Sequence, residues 1–181
     1  GGAIGMAYAV KYPDRIGKIV IMNTAAFLPP ENKPLPWELK LVRNLPVIAR
    51  PAVQGFNLFA LGALLMASKK KLPYSVKKGL IAPYNSWANR LATFKFVQDI
   101  PLASSDPSHD MVEHTQKNLS RLKNKPMLIC WGMKDFVFDS NYLEKWVDLF
   151  PDADVHRFDD AGHYVLEDVP ERILEAMRKF L

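Results

Sequence analysis

The sequence predicts an α/β architecture in which a parallel sheet is interrupted by a helical insertion. A helix followed by a β-branched apolar run opens the chain, from Gly1 to Asn23. Strand and helix patterns alternate again from Lys125 to Leu181, and the residues between carry helical patterning, repeated prolines and no strand signal.

Each element has a local reason. Ala3 to Tyr12 is a small-residue helix that must end before Pro13, and KIVIMN is an apolar strand bounded by Gly17 and Asn23. Its near-continuous hydrophobicity predicts cover on both faces, as in a parallel sheet. Six prolines from Pro29 to Pro51 then cut the chain into short pieces. Helices are predicted over Phe56 to Ala67, over Tyr74 to Leu80, and from Ser86, a good N-cap residue, to Ile100. KPMLICW (125–131) reads as a strand, Ser140 to Phe150 as an amphipathic helix, ADVHRF (153–158) as a strand, and Pro170 to Leu181 as a closing helix with proline in its first turn. The organisation is therefore core (1–27), helical insertion (28–118) and core again (119–181).

Composition narrows the function classes. The formal charge of +5 is spread over several clusters, among them Lys69 to Lys71 and Arg121 to Lys125, and reads as solvated surface, with no nucleic-acid stripe. The single cysteine, Cys130, sits in the apolar run MLIC and reads as a small core residue; no internal disulfide can form, which fits a reducing, cytoplasmic setting. Ala52 to Ala67 contains Gln54 and Asn57 and is too short for a membrane span, so a buried or interfacial helix is expected. The acceptor-like triplet Asn118-Leu119-Ser120 stands without any other sign of secretion. His109-Asp110 and Glu113-His114 have the wrong spacing for a zinc helix, and neither a metal nor a cofactor is expected.

The chemistry is expected in the loops at the carboxyl ends of the strands. One such loop holds Asp135 and the next holds His163, 28 positions later on a neighbouring strand. An Asp beside a His is the orienting half of a nucleophilic triad, with the carboxylate fixing the tautomer and the imidazole handling protons. Asp159 and Asp160 are expected to cap and solvate their turn. Gly1-Gly2-Ala3-Ile4-Gly5 looks like the downstream side of a nucleophile elbow, which places the nucleophile two positions before Gly1 and orders the triad nucleophile, acid, base.

DAGHYVLED, WGMKDFVFD, GGAIGMAYAVKYP and IMNTAAF together resemble the α/β-hydrolase superfamily, in its haloalkane dehalogenase-like branch. LIAPYNSWANR, FVQDIPL and MLICWGMKDFVFD look most like the β-lactone decarboxylases of bacterial long-chain olefin biosynthesis. The resemblance covers the whole chain, with 28–118 as the cap, and implies a partial α/β-hydrolase fold. It implies His163 as the catalytic histidine, Asp135 as its acid, and an Asp nucleophile outside this chain. Some dehalogenases carry the acid after the strand corresponding to KIVIMN, where this chain has Asn23 and Thr24, so Asn23 becomes a candidate polar contact. Trp87 and Phe136 are further candidate substrate contacts. The implied substrate is small and lipophilic, either a β-lactone losing carbon dioxide to give a cis-alkene or a haloalkane hydrolysed to an alcohol; the implied state allows a homo-oligomer or an assembly with other enzymes of its pathway.

Other readings remain open at this point. Ser in place of the Asp nucleophile gives an esterase or lipase-like enzyme on the same fold, and an epoxide is a further substrate for the Asp form. GGAIG as the tail of a dinucleotide-binding G-x-G-x-x-G needs an acidic residue about 20 positions on, where Asn23 and Thr24 stand, and it leaves Asp135 and His163 unexplained. Standing alone, the chain is expected to be inert and to associate through the apolar edge of KIVIMN.

Overall fold

The computed structural model describes residues 1–30 and 34–181; positions 31–33, inside the insertion, lie outside the described residues. Helix α1 (Gly2–Lys11) leads through a short turn into strand β1 (Ile19–Met22). Among the described residues, six α-helices follow before the next strand: α2 (Trp37–Asn44), α3 (Pro46–Arg50), α4 (Leu58–Met66), α5 (Tyr74–Ile81), α6 (Leu91–Gln98) and α7 (His109–Asn118). Then come β2 (Met127–Gly132), α8 (Ser140–Leu149), β3 (Asp154–Phe158), α9 (Val165–Asp168) and α10 (Pro170–Phe180). The strands form one parallel sheet in the order β1-β2-β3.

Strand alternation divides the core into two layers. Met127, Ile129 and Trp131 of β2 join Ile19 and Ile21 of β1 on the face covered by α1, α8 and the turn at Leu119–Leu122. Leu128 and Cys130 point the other way, onto Val165, Ile173 and Ala176 of α9 and α10. Every residue of β2 is buried, as a doubly covered strand requires. In β1 only alternate residues are buried: Val20 and Met22 meet the second layer at its margin and stay half-covered. The expectation of cover on both faces, made for β1, is thus met fully on one face and only in part on the other.

Prolines shape the insertion differently from a simple break. Pro46 and Pro51 sit in first turns, where a missing N–H is harmless, so Pro46–Arg50 and the π-helical turn Pro51–Gly55 run on continuously. The predicted helix from Ser86 starts later, at Leu91; Ser86 Oγ instead accepts the Asn89 N–H and caps the turn before it. The predicted helix over Phe56 to Ala67 forms as α4, none of whose nine residues is fully buried, whereas Val53, Gln54, Asn57 and Ala67 of the stretch from Ala52 to Ala67 are. Ala49, Val53 and Phe94 make a small core of the insertion's own.

The two strand-exit loops are joined beyond the sheet. Met133 N–H donates to the Phe158 carbonyl and Lys134 N–H to the Ala161 carbonyl, extending the β2–β3 pairing into the loops. Gly132 makes this possible: a Cβ there would lie 2.2 Å from the Gly162 carbonyl oxygen and 2.9 Å from that of Ala161. Both obstacles are backbone, so Gly132→Ala must separate the loops. The expected cost is about 3 kcal/mol, read as a shift in the urea midpoint; an unchanged midpoint would mean that the loops yield freely.

Candidate active site

Asp135 lies just past β2 and is almost fully buried. Its Oδ1 accepts the Val137 N–H at 2.8 Å, an Asx-type turn that folds the loop back on itself. Its Oδ2 lies 2.8 Å from His163 Nδ1 and also accepts from Asn23 Nδ2 at 2.9 Å. A carboxylate so placed fixes the neutral imidazole with its proton on Nδ1. Nε2 has no protein partner among the described residues. The imidazole is about a third exposed, at 31%, and stacks on Phe138 with centroids 5.8 Å apart.

Asn23 follows β1 in the left-handed region, φ 34°, a conformation that asparagine tolerates. Its amide is used completely: Nδ2 also donates to the Gly132 carbonyl at 3.1 Å, and Oδ1 accepts the Gly132 N–H at 2.8 Å. The residue therefore binds the acid and the end of β2, and it also lines the cleft described below. Gly2 meets the same loop from α1, since a Cβ on it would lie 2.2 Å from Thr24 Oγ1. Helix α1 thus begins directly against the β1 exit, as the glycine-opened turn of the sequence suggests.

His163 lines an open, mainly apolar cleft of ≈ 1240 Å³. Near the imidazole its walls include Thr24, Val137, Phe138 and Tyr142; Phe59, Tyr84, Phe96 and Met111 reach in from the insertion. Part of this volume runs along the unpaired edge of β1, past Ile19 and Val20, so it exceeds the space beside the imidazole. Tyr142 stays protonated, burial and then Asp139 pushing its phenol up to about 12. Cys130 offers no thiolate: burial first, then Asp154, raises it to about 11.

The other predicted contacts lie elsewhere. Trp87 is half exposed, its ring beneath Arg50 at 5.7 Å, and does not line the cleft. Phe136 is half-buried in the acid loop, and its neighbours Val137 and Phe138 face the cleft instead. Asp160 pairs with Arg172 on the surface. No group of three metal-ligating side chains gathers among the described residues.

One residue that the sequence reading passed over is Asp168, wholly buried in α9. Its carboxylate accepts from Ser68 Oγ at 2.5 Å, from the N–H groups of Lys69 and Lys70 at 2.9 Å, and from the Gly162 N–H at 2.7 Å. Tyr164 N–H adds a bond to the Ala67 carbonyl at 2.8 Å. The residues on either side of His163 are thereby tied to the end of α4, about a hundred positions earlier in the chain. Burial alone pushes this carboxyl up, but the bonds from Ser68, Gly162, Lys70 and Lys69 together outweigh it and hold the group below its ordinary range. The available signal was an acidic pair, Glu167-Asp168, inside an otherwise apolar run.

The chain is 44% identical over 183 residues to a cis-3-alkyl-4-alkyloxetan-2-one decarboxylase of Shewanella oneidensis, covering all of this chain and 57% of that protein. It is 37% identical to the enzyme of the same name from Xanthomonas campestris, again along its whole length and over 60% of the relative. The chain thus spans less than two thirds of these relatives. The crystal structure of an ancestral haloalkane dehalogenase superimposes with a TM-score of 0.86 at 19% identity, over 98% of this chain and 63% of that one, a likeness of fold. Residues 1–170 match the α/β hydrolase fold family, and the chain belongs to it.

Proposed function

We propose that this chain supplies the acid–base half of an enzyme that decarboxylates a lipophilic β-lactone. The nucleophile, an Asp, would come from a part of the fold that this chain does not contain, and residues 28–118 would form the cap over the site. The observation that carries the reading is the 2.8 Å contact of His163 Nδ1 with buried Asp135, which leaves Nε2 unpartnered on an imidazole that lines an apolar cleft. In this role Asp135 holds the tautomer and His163 acts as base or proton shuttle. Asn23 keeps Asp135 in place through the bonds described above.

An oxetan-2-one with alkyl groups at carbons 3 and 4 has two apolar arms, which suits walls built from Phe59, Phe96 and Met111. Loss of carbon dioxide breaks the ring C–O bond at carbon 4 and the bond between carbons 2 and 3, and forms an internal alkene. The atoms balance without a redox partner, so the reaction asks for no cofactor. The substrate class is supported by the names of the two relatives at 44% and 37% identity.

The test is product analysis with the complete protein. A cis-3,4-dialkyl oxetan-2-one is expected to give equal amounts of internal alkene and carbon dioxide. Formation of the 3-hydroxy acid would make the enzyme a lactone hydrolase, and a higher kcat/KM for halide release from a haloalkane would move it to the dehalogenases.

A further inference from the structure

We infer that the outer face of the helical insertion, centred on α3 and α4, is a docking surface for an anionic lipid bilayer. The inference rests on the surface alone and does not depend on the reaction proposed above.

Helix α4 has the sequence LFALGALLM, without a single charged or polar side chain. Leu58, Leu61 and Leu65 fall on one side at helical spacing and all are exposed, Leu65 at 80%. The opposite side carries Phe59, which packs against the insertion's small core. A surface helix in water places polar groups outward, and this one places leucines there. The neighbouring elements continue the pattern: Val47 is 85% exposed, Ile48 67% and Phe56 73%. None of these six residues lines the cleft beside β1. Their exposure is therefore not the mouth of the candidate active site.

Charge selects the occupant. From Trp37 to Gln98 there are ten lysines and arginines against one acidic residue, Glu38, whereas residues 119–181 carry nine against twelve. Lys69, Lys70 and Lys71 follow α4 directly and are exposed, as is Lys78 on α5. Apolar side chains flanked by lysines, on short successive helices, are the arrangement that sits in a bilayer interface and attracts anionic headgroups. Spanning is not implied. No single helix among the described residues is long and apolar enough to cross a membrane, and the apolar stretches Pro46–Gly55 and Leu58–Met66 bend by 77° from each other. A protein partner or a second copy would have to meet this basic excess with an acidic face. Five of the twelve acidic residues of 119–181 are already committed at home, Asp135 and Asp168 by burial and Glu144, Asp160 and Glu175 in ion pairs.

Co-flotation of the full-length protein with vesicles tests this. Mixed phosphatidylcholine–phosphatidylglycerol vesicles are expected to carry at least about tenfold more protein than phosphatidylcholine alone, an excess that falls as salt rises. Leu61→Asp together with Leu65→Asp is expected to lower binding by about tenfold or more, and Lys70→Glu with Lys71→Glu and Lys78→Glu to erase the preference for anionic lipid. A readout without mutation is quenching of tryptophan emission by brominated acyl chains, because Trp87 lies beside Gly55 near the foot of α4. Equal flotation with both vesicles, no quenching, or a dimer that the two leucine substitutions disperse while vesicles bind nothing would each overturn the inference.

Discussion

Replacing His163 by alanine in the complete protein is expected to lower turnover by about a thousandfold or more while leaving the fold intact. The two halves of that expectation have separate causes. Turnover falls because His163 presents the one ring nitrogen that lines the cleft free of a protein partner, and no other histidine lines the cleft. The fold survives because the imidazole is about a third exposed and its one hydrogen bond to the protein is with Asp135. Asp135 keeps two other donors, Asn23 Nδ2 and the Val137 N–H, so its carboxylate is not stranded by the substitution. A steady-state assay beside a thermal melt separates the two effects. Retained turnover would remove His163 from the chemistry, and a collapsed melt would make its role structural.

Asp168→Ala is expected to be the most destabilising substitution here that leaves the reacting groups untouched. It strands the N–H groups of Lys69, Lys70 and Gly162 and removes one of the two acceptors of Ser68 Oγ, leaving the Lys70 carbonyl. Buried donors left unpaired cost about 1–3 kcal/mol each, so a loss of at least about 3 kcal/mol is expected. Asp168→Asn keeps the volume but turns an amide that donates toward three donors, and should recover little. The pH dependence follows from the direction of the shift. The folded carboxyl titrates below its ordinary range, so its contribution is fully present above the ordinary carboxylate value and is lost as pH falls through the lower folded value. Urea midpoints of the wild type should therefore drop as pH falls below the ordinary carboxylate value, with a shallower drop for Asp168→Asn. Parallel curves would mean that the carboxylate charge contributes nothing.

The sheet was legible because its signals are local. The run MLIC is apolar at every position, as a fully buried parallel strand must be, and Asp135 and His163 follow two such runs in loops where parallel sheets gather their reactive groups. Their 2.8 Å contact follows from β2 and β3 being paired neighbours. The insertion was less legible: prolines read as breaks, yet Pro46 and Pro51 occupy first turns and continue the helical path from Leu45 to Gly55. Ser86 has the residue type of a helix cap, and it caps a turn one step earlier.

What escaped sequence reading altogether depends on distant backbone. The partners of Asp168 are mainly amides about a hundred residues away, and an amide leaves no trace in residue identity. Asn23 is legible as polar and near the site, but its commitment to Gly132 and Asp135 requires knowing that β1 and β2 pair across the whole insertion. Exposure of the leucines on α4 is likewise invisible in a run that is apolar on all sides.

The central claim is that Asp135 presets His163 with its proton on Nδ1 and its lone pair on Nε2, facing the cleft. Nitrogen-15 NMR of the imidazole reads this directly in the neutral protein. The Nδ1–H tautomer is expected, with that preference weakened in Asp135→Ala. A neutral ring protonated on Nε2, or a tautomer ratio indifferent to Asp135, would contradict it.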